Sequence, residues 1–277
     1  MTTFNSDGFT INNNFINYSY YEKNIINYFK DNYDIYFYWG FSSDLGTLLD
    51  LIKNNVSNKK YLIFFVNDYN DVIIDNIPDN FIIFRSGMYK SMKKYNEYVL
   101  PIIYCNNINY SLVYYIEPVE KTSKPKVCFS GGSHTYYLRE TWLNYLISST
   151  ILDCNIVDKG CFRGGTTYEL IDNYKTSEFC FCPRGSGNFS IRFYETLYYG
   201  RIPVLIDTDI LLPFANQIEW EKYIVISNNI EELPEKIYDF WLNNDIYQLQ
   251  IECKNLYTKY FTNENIAKHI NNEILVN

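Results

Sequence analysis

Cys180-Phe-Cys-Pro-Arg184-Gly185-Ser-Gly187-Asn188-Phe-Ser190-Ile-Arg192-Phe-Tyr-Glu195, continued by Thr196-Leu-Tyr-Tyr-Gly200-Arg-Ile-Pro203-Val-Leu-Ile-Asp207, reads as strand, glycine loop, helix and second strand. That order builds an anion site. Gly185 and Gly187 let backbone approach a ligand with no Cβ in the way, and the loop feeds a helix whose unpaired first N–H groups favour phosphate. Arg184 adds a planar positive fork suited to a diphosphate. Glu195, in the second turn of that helix, is an acceptor-only carboxylate that repels phosphate but takes hydrogen bonds from paired sugar hydroxyls. Arginine for diphosphate and glutamate for ribose together describe a nucleotide. Arg192 lies one turn before Glu195, where an i, i+3 ion pair would equally explain it.

The rest of the chain supplies the frame for that unit. Tyr61 to Val66 and Phe81 to Phe84 are near-continuous apolar runs, as expected of strands buried in a parallel sheet. Ile35–Trp39, Val99–Tyr104 and Leu112–Ile116 read as further strands, and Leu45–Ile52 as a helix. Val127–Phe129 opens into Ser130-Gly-Gly-Ser133-His134 and then a helix from Leu138 to Ile147, a second strand, glycine loop and helix unit. Ser133 and His134 are therefore further candidates for the donor pocket. Helices are expected over 168–174, 231–243, 246–260 and 263–275. The stretch 117–125, with two prolines and alternating charge, reads as a linker.

Composition narrows the ligand. The formal charge of −8 argues against a broad nucleic-acid face, because phosphate backbones demand clustered Lys and Arg. Of the arginines, 139, 163, 184, 192 and 201 fall close together in sequence and only Arg85 lies elsewhere. A local positive pocket in an acidic chain suits a small anion better than a polymer. Seven cysteines in no regular framework, with no apolar N-terminal segment, give the expectation of reduced thiols, no transmembrane segment and a cytoplasmic location. Cys180 and Cys182 have no ligand partners at metal spacing and read as core thiols. The aromatic fraction of 19% reads chiefly as compositional bias filling core and surface.

The run Phe181-Cys-Pro-Arg-Gly185, then Arg192-Phe-Tyr-Glu195, Gly200-x-x-Pro203-Val204, and Leu212-Pro-Phe214 ahead of Trp220 resembles the nucleotide-sugar half of the exostosin family, glycosyltransferase family 47, across residues 125–225. Phe64-Phe-Val66 and Phe81–Arg85 match more faintly. The resemblance implies an α/β fold of GT-B type, with two Rossmann-like domains whose parallel sheets face a cleft, and inverting transfer from a UDP-sugar to a glycan or other hydroxyl acceptor. On that plan residues 1–122 form the acceptor domain, 123–245 the donor domain, and 246–277 helices packing back toward the first. Arg184 would match the diphosphate arginine, Ser190 the start of the helix, Glu195 the ribose carboxylate and Arg139 an arginine following the first strand, which is expected to bind the donor diphosphate beside Arg184. Asn188 lies among the loop N–H groups expected around the donor.

No cofactor or metal is expected, because the arginines and a helix terminus already supply positive charge. A base must take the acceptor proton, and by position at strand ends Asp44 and Asp68 qualify. Two other readings stand beside this one. Asp207-Thr-Asp209 could hold a divalent metal in a GT-A transferase, or the chain could bind nucleotide-sugar or glycan without catalysis.

Overall fold

The computed structural model describes residues 3–4, 10–11, 19–38, 42–54, 58–66, 72–101, 116–160 and 168–275. The chain forms two compact units. The first takes Met1–Ile102, Asp209–Ile218 and Thr262–Asn277, and the second Ile103–Thr208 and Glu219–Phe261. Each is α/β around a wholly parallel sheet, as the buried apolar runs predict. Among the described residues no helix is long and apolar enough to cross a membrane.

In the first unit, β1 (Thr3–Phe4) and β2 (Thr10–Ile11) form an antiparallel pair, followed by α1 (Ser19–Phe29). The main sheet has the order β3 (Asp34–Tyr38), β4 (Tyr61–Phe65), β5 (Phe81–Arg85), β6 (Glu97–Val99), with α2 (Ser42–Asn54) between the first two. Register places Phe37 beside Phe64, Phe64 beside Phe84 and Phe84 beside Tyr98. Their rings stack in a row, with centroids 4.7, 5.6 and 5.1 Å apart. The alternate residues of the same strands, including Tyr38, Tyr61, Ile63, Phe65, Phe81 and Ile83, pack with Leu48 and Ile52 of α2. Much of the aromatic content thus covers both faces of this sheet, where each buried ring removes a large apolar area from water. Arg85 and Glu97 form a buried ion pair, 3.1 Å apart, within it.

The second unit holds β7 (Lys126–Gly131), α3 (Arg139–Ile147), β8 (Asp153–Asp158), α4 (Tyr168–Thr176), β9 (Phe179–Phe181), α5 (Ile191–Tyr198), β10 (Ile202–Ile206), β11 (Val225–Ser227), α6 (Leu233–Asn243) and α7 (Ile246–Tyr260). Its sheet runs in the order β11, β10, β9, β7, β8. From β7 to β10 strands and helices alternate, as parallel pairing requires of its crossovers. Gly200 ends α5 with φ +64°, and a Cβ there would meet the carbonyl oxygen of Gln250 at 3.0 Å, so glycine is required twice over. Asp245 caps α7 by accepting from the Gln248 N–H at 3.0 Å.

The stretch 117–125 is pinned along this unit. Glu178, fully buried, accepts from the N–H and hydroxyl of Thr122, the N–H of Lys126 and the indole of Trp241. Arg201, also fully buried, donates to the carbonyls of Glu117, Tyr174 and Gly200 and to Gln250 Oε1. The segment expected to pack back toward the first domain divides. Helix α7 packs on α5 and β10 in the second unit, whereas α8 (Ile266–Leu275) packs on α1 in the first.

Candidate functional site

The site is built where β7 and β9 of the second unit end side by side. Parallel strands deliver their loops to one edge of the sheet, the usual place for a ligand in an open α/β layer.

After β7 the chain turns through Gly132 and a single tight turn, Ser133–Thr135. Asp158, at the end of β8, organises this turn, since its Oδ1 accepts from the N–H groups of Ser133 at 3.0 Å and Gly160 at 2.8 Å. The His134 N–H donates in turn to the Gly160 carbonyl at 3.0 Å. Burial would raise the Asp158 carboxyl, but these hydrogen bonds and the nearby His134 outweigh it and hold the group below its ordinary value. The His134 side chain is exposed. Asp158 was not among the residues that the sequence singled out; an Asp-Lys-Gly run closing a strand is the turn signal that marks it.

After β9, Pro183 and Arg184 lead into a loop closed by the Gly185 N–H donating to the Phe189 carbonyl at 3.1 Å. Arg184 donates to the carbonyls of Gly185 and Ser186, and its guanidinium lies 4.5 Å from the centre of the Tyr136 ring. A Cβ at Gly185 would come within 3.9 Å of Arg139 Nη2 and nothing nearer, so internal crowding does not demand glycine there. Asn188 and Thr208 hold each other: Asn188 Nδ2 donates to the Thr208 carbonyl at 3.2 Å and its Oδ1 accepts the Thr208 hydroxyl at 2.6 Å. Ser190 is the extended N-cap of α5, yet its side chain makes no cap hydrogen bond. The first turn of α5 is therefore without the usual internal acceptor.

Two arginines lie beneath these loops, Arg139 buried and Arg192 half-buried. Arg192 forms the i, i+3 ion pair with Glu195 that the spacing allows, and its Nη2 donates to the Ser130 carbonyl at 2.8 Å. Burial lowers the Arg192 pKa, but the negative charge of Glu195 outweighs it and holds the guanidinium above its ordinary value. Glu195 is itself buried, at 7% exposure. Arg139, the first residue of α3, directs its guanidinium at three main-chain carbonyls: Gly132 from Nη1, Pro183 from Nη2, and Arg184 from both Nη2 and Nε. Burial and the charge of Arg192 bring its pKa down to about 10, still protonated at neutral pH.

Of the sequence candidates, Ser133, His134, Arg139, Arg184, Gly185, Gly187, Asn188, Ser190 and Glu195 all fall on these two loops and the helices they feed. Cys180 and Cys182 are fully buried, and Cys182 Sγ lies 3.3 Å from the Thr196 hydroxyl, which places them in the core. Asp44 sits in the first turn of α2. Asp68, like most of the expected strand 112–116 and the end of 99–104, lies outside the described residues. Asp209, a candidate metal ligand with Asp207, takes φ +62° in the first unit; its carboxylate accepts from the Ser91 N–H and hydroxyl, and its carbonyl from the Lys90 N–H. Both of those side-chain contacts fall on Oδ2, which holds the short turn at Lys90–Met92.

Comparison with known proteins places the same region in context. The Exostosin GT47 domain matches residues 88–237, more than half of the chain. A probable glycosyltransferase of Arabidopsis thaliana is 32% identical over 120 residues, covering 43% of this chain and 24% of that protein. A probable beta-1,4-xylosyltransferase of the same plant is 40% identical over 70 residues, covering 24% of this chain and 16% of that protein. An exostosin-1 homolog of Caenorhabditis elegans is 30% identical over 122 residues, covering 41% of this chain and 31% of its own. The matched stretch thus spans under a third of each of these relatives. Among solved structures, the crystal structure of TarM covers 90% of this chain and 57% of its own at 12% identity and a TM-score of 0.47.

Proposed function

The chain belongs to the Exostosin GT47 family, and from that premise we propose that it is a glycosyltransferase of GT-B type that moves a sugar, with inversion, from a UDP-sugar to a hydroxyl of a glycan or similar acceptor. The observation that carries this reading is the convergence of the Arg184 loop, the uncapped start of α5 and the Glu195 carboxylate at adjoining carboxyl ends of parallel strands. Each part has its task in the transfer. The departing nucleoside diphosphate gathers negative charge as the glycosidic bond breaks, and fixed N–H donors and a guanidinium stabilise charge of that kind without reorganising. The N–H groups of the first turn of α5 and Arg184 fill that role, and Glu195 accepts from the ribose hydroxyls. Asn188 holds the loop against Thr208 so that those donors stay aimed. No metal is required on this reading, because the cationic charge comes from the chain itself.

The acceptor hydroxyl loses its proton to a carboxylate of the first unit, Asp44 or Asp68. Replacing both by Asn should leave UDP binding intact and abolish transfer; near-normal turnover of the double variant would remove them from the mechanism.

The reading is tested by thermal unfolding with UDP, GDP, CMP and dTDP, with and without EDTA, on wild type and Glu195→Ala. A nucleotide at about 100 times its dissociation constant adds roughly 2.7 kcal/mol to the native state. UDP is expected to stabilise the wild type equally in EDTA and to leave Glu195→Ala unmoved. Absence of a shift with every nucleotide would falsify the donor site, and binding without transfer or donor hydrolysis would mark a chain that binds nucleotide-sugar without catalysis.

A further inference from the structure

The guanidinium of Arg139 carries five N–H groups in one plane. Four are directed at main-chain oxygens: Nη1 to Gly132 at 2.7 Å, Nη2 to Pro183 at 2.7 Å and to Arg184 at 2.6 Å, and Nε to Arg184 at 3.1 Å. A phosphate is best gripped by two parallel N–H groups on one edge of the fork. Here the Nε/Nη2 edge is turned onto Arg184, and Nη1 is engaged at Gly132. The side chain is 8% exposed, with its cationic carbon 5.8 Å from the centre of the Phe129 ring. The Phe129 ring lies against Gly131, where an added Cβ would come within 3.0 Å of it. The three carbonyls belong to two different loops, one leaving β7 and one leaving β9.

We infer that Arg139 is a positioning residue of the donor site, a clamp that sets the spacing between the Gly132 loop and the Pro183–Arg184 loop through their carbonyls, and not a ligand of the diphosphate. What is positioned rests on the nucleotide-sugar reading; the clamp itself does not. By holding the Arg184 carbonyl from two nitrogens it fixes the backbone from which the Arg184 side chain springs. Lysine cannot replace it, since an ammonium is a single point and cannot span three carbonyls in one plane.

The test separates the clamp from the donor reading by using two measurements on the full chain. Hydrogen–deuterium exchange of ligand-free wild type, Arg139→Lys and Arg139→Gln should show peptides spanning 131–138 and 183–190 exchanging at least tenfold faster in both variants, with the first unit and α7 unchanged. UDP affinity, by titration calorimetry, should fall at least tenfold in both, with no rescue by lysine. Unchanged protection of the two loops overturns the inference, and if UDP affinity nevertheless drops, Arg139 touches the ligand. Faster exchange everywhere also overturns it, because the role is then general stability. If wild type binds no UDP, the donor reading fails and the exchange result alone decides the clamp.

Should neither variant be isolable, the wild type still answers. Its Arg139 Nε–H signal in nitrogen-15 spectra should exchange slowly and keep its position when UDP is added. Rapid exchange, or a displacement as large as that of Arg184, overturns the assignment.

Discussion

Arg192 joins Glu195 to the Ser130 carbonyl from inside the second unit, so its loss leaves a carboxylate buried with no cation. Arg192→Met should destabilise the protein by about 3–5 kcal/mol in urea unfolding, while Arg192→Met combined with Glu195→Leu should recover most of that, because an apolar pair needs no desolvation. Equal losses in the single and double variants would show that the pair is not what matters. Asp158 gives a pH signature. Its folded-state pKa is depressed, so its contribution is complete above the unfolded value near 3.9 and is lost as pH falls through the lower folded value. Asp158→Asn should lower stability at neutral pH, flatten that part of the acid limb of the stability curve and make little difference below both pKa values. At this scale the sequence is legible where spacing dictates chemistry, as with Arg184, Glu195 and the ion pair one turn away. It places Arg139 in the donor pocket but not its partners, because a guanidinium binds phosphate and carbonyl oxygens alike, and only the fold decides which oxygens surround it.

Among the elements, Gly200 offers the sharpest test of local necessity. Gly200→Ala must hold a side chain at φ +64° and within 3.0 Å of a backbone oxygen, and should cost upwards of about 1 kcal/mol, read as a lower thermal midpoint. Helix α8 carries a titration of opposite sign to Asp158. Burial raises the Glu273 carboxyl despite its hydrogen bond from Gln217, so its favourable contribution is present below the unfolded value near 4.3 and is lost as pH rises through the higher folded value. Glu273→Gln should therefore stabilise the protein at neutral pH and make no difference at pH 3.5. Strands buried on both faces announced themselves, as Tyr61–Phe65 and Ile202–Ile206 do with every residue buried. Strand β8 did not, because it lies at the edge of its sheet and its Asp153-Cys-Asn-Ile-Val-Asp158 is mostly exposed or half-buried. Strand β11, at the other edge, is only 3 residues long. Helix α1, Ser-Tyr-Tyr-Glu-Lys-Asn-Ile-Ile-Asn-Tyr-Phe, is built from weak helix formers, and tertiary packing of Ile25 and Phe29 makes up what propensity lacks.

At the scale of the molecule, each unit owns a sheet and a core, so damage to one is predicted to register there first. Glu178→Ala removes the shared acceptor of the half-buried Thr122 and Lys126 and of the buried Trp241 indole; a buried donor left without a partner costs about 1–3 kcal/mol, and a loss of at least that order is expected. Three of the four tryptophans, Trp142, Trp220 and Trp241, belong to the second unit, so most of the indole fluorescence of Glu178→Ala in urea should report an earlier transition there while exchange protection of β4 persists. Simultaneous loss of both signals would mean that the units unfold as one. The interleaving of the first unit also has a consequence for the ribosome. Its sheet is read out early, yet α8, whose Ile266 and Ile270 are fully buried in packing that engages α1, is read out only after the whole of the second unit. The second unit has its whole sheet and helices once translation passes residue 261, whereas the nascent first unit keeps an apolar face uncovered until translation passes residue 275. During synthesis the unit begun first is finished last, and chaperone demand should fall on that waiting face.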